Sequence, residues 1–218
     1  MTPLILDIEA TGIDKAADYL EPIEAPSNYK DPQKIADYIA EATAKAIDRC
    51  ALDPDLCRIV AIGHGTADGP DHCIICADES MEREALDVLW SHVQNSAGVT
   101  RTIISFNGFG YDLPVLMRRS QYLGIPYPTL NLDRYRSPHV DLMQKLSFNG
   151  AIKPHSLRFY CQRFGIPVDD AYDGSQVGEL VKAQKWAEIE SHCLSDVRAT
   201  RLLAQKLRLI PAAESVAA

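Results

Sequence analysis

The sequence predicts a mixed α/β protein, a β-sheet with helices on both faces. Three observations predict it. Apolar runs rich in β-branched residues open the chain, and the short turn Asp68-Gly69-Pro70-Asp71 joins two of them, which requires an antiparallel pair. Stretches of helical periodicity then alternate with further short apolar segments. Helix-stopping glycines follow three of those stretches, at Gly98, Gly124 and Gly165.

The elements follow in chain order. Leu4 to Gly12 reads as a buried strand that breaks its apolar pattern at Asp7 and Glu9. A polar, proline-containing segment leads to a helix with Asp31 as N-cap and Pro32 at its first position. Ile35, Ile39, Ala42, Ala46 and Ile47 give that helix its spacing to about Cys50, and Leu52 to Asp55 is a turn. Residues 13–56 therefore form an insertion between two strands. Arg58 to Gly65 is the second strand and His72 to Ala77 the third, so the first three strands make a meander. A helix over Met81 to Asn95 precedes a fourth strand at Thr102 to Phe106. Asn107 to Gly110 turns the chain into a helix over Tyr111 to Leu123. Pro126 to Pro138 is a loop, and His139 to Met143 is a strand or the start of a helix. Helices are predicted at Pro154 to Phe164, Ser175 to Ala183 and Lys185 to Leu209, the last stopped by Pro211. The expected organisation is a single domain over 1–211 and a disordered tail at 212–218.

A hydrophobic content of 46% with 24% charged residues is that of a water-soluble globular chain, and no apolar run reaches membrane-spanning length. Asp7 and Glu9 interrupt any signal-peptide pattern, so a cytoplasmic location is expected. The six cysteines are expected reduced and buried. Cys73-x-x-Cys76 has no second pair at ligand spacing, which argues against zinc. A net charge of −8 argues against a broad electrostatic grip on nucleic acid and leaves room for a local one.

Strand alternation puts Asp7 and Glu9 on one face. Adjacent carboxylates repel and raise each other's pKa, which a bound Mg²⁺ or Mn²⁺ would relieve. The pair fits an acidic strand end in solvent as well. Asp112, in the first turn of a helix, suits the macrodipole and also an ordinary cap position. His192 and Asp196 lie four apart on the last helix and share a face, as would a solvated surface pair.

Together these motifs resemble the DEDD superfamily of 3′–5′ exonucleases, with its ribonuclease-H-like fold. They are Asp7-Ile8-Glu9 on the first strand, Asn107-Gly108-Phe109-Gly110-Tyr111-Asp112 after the fourth, and His192-Cys193-Leu194-Ser195-Asp196 on the last helix. The closer resemblance is to the proofreading exonuclease of family B DNA polymerases and to standalone phage and bacterial versions of it. Asn28 to Pro32, Ala51 to Pro54, Arg58 to Gly63, Asp112 to Leu116, His139 to Met143 and Asp173 to Ser175 fit that pattern too.

The resemblance implies that Asp7, Glu9, Asp112 and Asp196 hold two Mg²⁺ or Mn²⁺ ions. Two such ions about 3.5–4 Å apart activate a water and relieve charge on the leaving oxygen of a phosphodiester. Single-stranded DNA would be cut from its 3′ end to 5′-mononucleotides, in repair or replication; RNA trimming, or a catalytically weakened binding module, is the alternative. The family B branch has tyrosine where this chain has His192, and a sister branch has histidine five residues before its aspartate. His192 is therefore expected to orient or deprotonate the attacking water. The resemblance also places Asn107, Phe109 and the backbone of Ile8 and Ala10 near the 3′ end, with Asp141 as a possible auxiliary acid. Arg158 and Arg163 lie in a stretch, 134–163, whose only acid is Asp141, and they are expected to meet phosphates among aromatic residues that stack on bases. Without a polymerase domain in the chain, proofreading would take place in trans, alongside a polymerase or recombination protein.

Overall fold

The computed structural model describes residues 2–94 and 97–211. The tail expected at 212–218 lies outside the described residues. A five-stranded sheet in the order β3-β2-β1-β4-β5 is built from β1 (Leu4–Gly12), β2 (Cys57–Thr66), β3 (His72–Ile75), β4 (Ile103–Ser105) and β5 (Val140–Asp141). The meander is antiparallel, and β4 and β5 run parallel to β1 on its other side. The sheet is mixed, as the ribonuclease-H-like expectation requires. His139 to Met143 resolves into both readings: β5 ends at Asp141, which caps α4 (Leu142–Leu146).

Helices cover both faces. α2 (Glu79–Val93) and α3 (Asp112–Leu123) pack Leu86, Leu89, Val93, Leu113 and Leu116 against Leu4, Leu6 and Ile8 of β1. The two helices and β2 are joined under that face by a buried ion pair. Arg119 donates through Nε and Nη2 to Glu82 at 2.7 Å each, and Glu82 also accepts the Ile59 N–H at 2.9 Å. The opposite face carries α5 (Leu157–Phe164), α6 (Val177–Lys182) and α7 (Trp186–Lys206), packed on Ile5, Val60, Ala61 and Ile104.

Between β1 and β2 lies α1 (Pro32–Arg49), capped as expected by the Asp31 carboxylate on the Gln33 N–H at 2.9 Å. No residue of α1 is fully buried, so this segment lies on the surface. α5 starts later than the periodicity suggests, because Ser156 takes the N-cap position, its hydroxyl accepting the Phe159 N–H. The region 175–183 divides into a 3₁₀ turn, Gly174–Gln176, and α6.

Two features set α7 close to the sheet. The register of β1 on β2 slips between Glu9 and Ala10, leaving Val60 as the extra residue of a bulge beside Glu9. Gly63, paired with Asp7, has no side chain; a Cβ there would meet Cys193 Sγ and Val197 Cγ2, each at 2.7 Å. Only glycine lets α7 approach so closely at the level of Asp7.

Candidate active site

Four carboxylates from three elements converge on the face under α7. Asp7 and Glu9 project from β1, Asp112 opens α3, and Asp196 sits mid-way along α7. Glu9 and Asp112 are buried, Asp7 and Asp196 half-buried. The alternative of an acidic strand end in solvent is thereby removed. One oxygen of Asp112 accepts the Ile8 N–H at 3.2 Å, which ties the start of α3 to the strand between the other two acids. That N–H is thus engaged by Asp112 within the protein.

Asp112 is placed by a loop whose clasp is Asp141. Its Oδ1 accepts the N–H groups of Asn107, Met143 and Gln144, and its Oδ2 that of Phe109. Four backbone donors occupy this carboxylate, so Asp141 acts here as the anchor of the loop. Asn107 adopts a positive φ of 63° in the turn. Gly108 is required beside it, since a Cβ would fall 1.9 Å from Ser105 Oγ. Phe109 packs partly against the core, and Tyr111 donates its hydroxyl to the Ala51 carbonyl at 2.6 Å, joining the loop to the segment before β2.

Burial dominates the electrostatics. It holds Asp7 well above the ordinary carboxylate range, reinforced by Asp196, Glu9 and Asp112. Glu9 is raised by burial and then by Asp196, Asp112 and Asp170. Burial lifts Asp112 to about 7, against the opposing hydrogen bond from Ile8, and lifts Asp196 to about 6, with His192 pulling the other way. Among the described residues no lysine or arginine pairs with any of the four. An oxygen-rich set of mutually repelling acids with no internal cation fits hard divalent ions such as Mg²⁺ or Mn²⁺. Ligand atoms of Glu9, His192 and Asp196 lie within 4.8 Å of one another, as do those of Asp7, Glu9 and Cys193.

His192 reaches the cluster. Its Nε2 is 3.3 Å from Glu9 Oε1, and its Nδ1 is 2.6 Å from Asp170 Oδ2. Its closest charged partners are thus Glu9 and Asp170, and the helix face it shares with Asp196 is turned inward. Asp170 and Cys193 were not legible as site residues. The Cys193 thiol lies 3.8 Å from Asp7 Oδ2 over the gap left by Gly63, its pKa raised by the neighbouring Cys73 and by burial. Arg158 lines a cleft of about 190 Å³ with Asp170, Tyr172, Asp173, His192 and Asp196. Arg163 lies five residues on, about 140° round the helix, and does not line that cleft. Of the aromatics in 134–163, Tyr135 and Phe148 are exposed and Tyr160 is buried in the core. Phe159 stacks on His155 at 4.1 Å.

A mixed sheet of this order, with helices on both faces, defines a ribonuclease-H-like domain. Residues 52–214 match the family of predicted 3′–5′ exonucleases related to the exonuclease domain of PolB, and the chain belongs to that family. The matched residues include Asp112, His192 and Asp196; β1 with Asp7 and Glu9 lies before them. In fold the chain is similar to the family B DNA polymerase of the hyperthermophilic archaeon Pyrobaculum calidifontis. The TM-score is 0.61 at 20% identity, over 95% of this chain and 24% of the polymerase, so the chain spans about a quarter of that protein's length. No curated protein matches the chain. Among the described residues no helix is long and apolar enough to cross a membrane.

Proposed function

We propose that the chain is a metal-dependent 3′–5′ exonuclease that shortens single-stranded DNA to 5′-mononucleotides, as one domain over 1–211 with an insertion at 13–56. The convergence of four carboxylates from β1, α3 and α7, with no lysine or arginine among the described residues to neutralise them, carries this reading. Asp7, Glu9, Asp112 and Asp196 would hold two Mg²⁺ or Mn²⁺ ions. Bound there, the ions supply activation of a water and relief of charge on the departing 3′ oxygen.

The protein's own groups do the rest. His192 offers Nε2 on the Glu9 side of the cluster, where it can orient the attacking water or take its proton. Arg158 stands in the cleft beside His192 and Asp196, within reach of a phosphate. Asn107, Phe109 and the backbone of Ile8 and Ala10, which flank the acids in sequence, would frame the terminal nucleotide. Exposed Tyr135 and Phe148 offer faces to bases further along the strand. The acidic net charge suits a protein that handles ends, acting in the cytoplasm beside a polymerase or recombination protein.

The test is an end-labelled DNA strand and its RNA counterpart, each incubated with Mg²⁺, Mn²⁺ or EDTA. Stepwise loss from the 3′ end, faster on DNA and abolished by EDTA, is expected. Faster loss of RNA would make the enzyme an exoribonuclease. Cleavage of circular single strands, or no metal-dependent cleavage, would overturn the reading.

A further inference from the structure

We propose that Asp170 is a positioning residue for His192: it holds the imidazole by Nδ1 and leaves Nε2 as the acceptor facing the acid cluster. The inference rests on the nuclease reading for what Nε2 does, and on geometry alone for how the ring is held. Nδ1 of His192 lies 2.6 Å from Asp170 Oδ2, and the two side chains are 5% and 10% exposed. An ionised carboxylate only accepts hydrogen bonds, so the proton between them sits on Nδ1. A neutral imidazole carries a single N–H, so Nε2 bears a lone pair. Nε2 lies 3.3 Å from Glu9 Oε1, on the side of the acid cluster, where a proton held by the Glu9 carboxyl, a water or a cation can satisfy it.

Asp170 is itself fixed. Its Oδ1 accepts the Tyr172 N–H at 3.1 Å, while Oδ2 is given to the histidine. The following turn is locked by a reciprocal cap, in which Asp173 accepts the Ser175 N–H and Gln176 accepts the Asp173 N–H. The loop between α5 and α6 thus presents a carboxylate of set direction to α7. A histidine held in this way cannot turn its ring over without losing a charge-assisted hydrogen bond. The same arrangement orients the base of a catalytic triad, where replacing the carboxylate by its amide favours the wrong tautomer.

Asp170→Asn keeps the size of the side chain, but its amide can donate to Nδ1, which moves the imidazole proton to Nε2. The first readout is ¹⁵N-histidine NMR of the metal-free protein at pH 8, where an ordinary imidazole is neutral. The wild type should give His192 protonated on Nδ1, and Asp170→Asn should give it protonated on Nε2. The second readout is cleavage at saturating strand and Mn²⁺. Asp170→Asn should lower kcat on the order of 10²-fold, with KM and Mn²⁺ affinity changed less than about two-fold. Asp170→Glu, which keeps the charge, should recover part of the loss. Nε2 protonation in the wild type overturns the proposal, whether or not the variants fold. So does an unchanged kcat in Asp170→Asn, or a fall in Mn²⁺ affinity that accounts for the whole loss. A wild type inactive on every strand overturns the nuclease reading instead, and the NMR result then decides the proposal.

Discussion

Asp112→Asn removes one charge from the acid cluster and keeps the oxygen that accepts the Ile8 N–H. Burial holds the Asp112 carboxyl at about 7, against an ordinary value of 3.8. Between those two values the folded protein keeps a proton that the unfolded chain has released. Stability therefore falls as pH rises through that window. For this one group, the fall between pH 5 and pH 8 works out at about 2–3 kcal/mol, at about 1.4 kcal/mol per pKa unit. The asparagine variant lacks this loss, and without the Asp112 charge Asp7 and Glu9 are also raised less, which acts in the same direction. Burial lowers His64 to about 4 and lowers His139 as well, which adds a change of opposite sign below about pH 6.5. Both proteins carry it, so it cancels in their difference. Urea unfolding of both in EDTA, at pH 5 and pH 8, measures that difference. The variant should gain about 2–3 kcal/mol on the wild type over this range. A difference independent of pH would refute the assignment of Asp112 as a buried carboxyl under strain from its surroundings.

Mn²⁺ at about a hundred times its Kd should stabilise the wild type by about 2.7 kcal/mol, measured by thermal unfolding. The double variant Asp7→Ala/Asp196→Ala should gain none of it, and equal stabilisation of the two would contradict the metal site. Arg158→Ala should weaken single-strand binding and make the plot of log affinity against log salt shallower by about 0.7, as for one lost phosphate contact. Arg163→Ala, on the other side of α5, should leave both nearly unchanged in the same titration. Arg119→Met leaves the Glu82 carboxylate buried without its cation and should cost about 3–5 kcal/mol in urea unfolding.

The strands and helices were legible because period-2 and period-3.6 patterns survive in the sequence wherever one face is buried. Asp31 with Pro32, Gly124 and Gly165 marked helix ends through local chemistry alone, and the structure puts them there. The late start of α5 was also legible in principle, since Ser156 is a better N-cap than anything near Pro154. The contrast between Arg158 and Arg163 could have been drawn from helix geometry, because five residues carry a side chain well off the original face. Asp170 had no such signal. It lies in an irregular loop, and only the packing of that loop against α7 brings it to His192. Cys193 became a neighbour of Asp7 through the missing side chain of Gly63, a close approach that no periodicity encodes. Asp141 drew attention as an acid near the others, while its four backbone partners depend on how the β4–α3 loop folds over it.

The most direct measurement compares the wild type with Asp7→Ala on a 5′-labelled single strand of DNA, with saturating Mn²⁺ and matched far-UV circular dichroism. Asp7 lies under α7, facing Asp196, Glu9 and Asp112, and in the proposed function its loss removes a repelling charge together with a metal ligand. The wild type should shorten the strand from its 3′ end in single-nucleotide steps, and Asp7→Ala should fold normally and leave the strand intact. Undiminished stepwise shortening by Asp7→Ala would contradict the assignment of the four carboxylates as the catalytic centre.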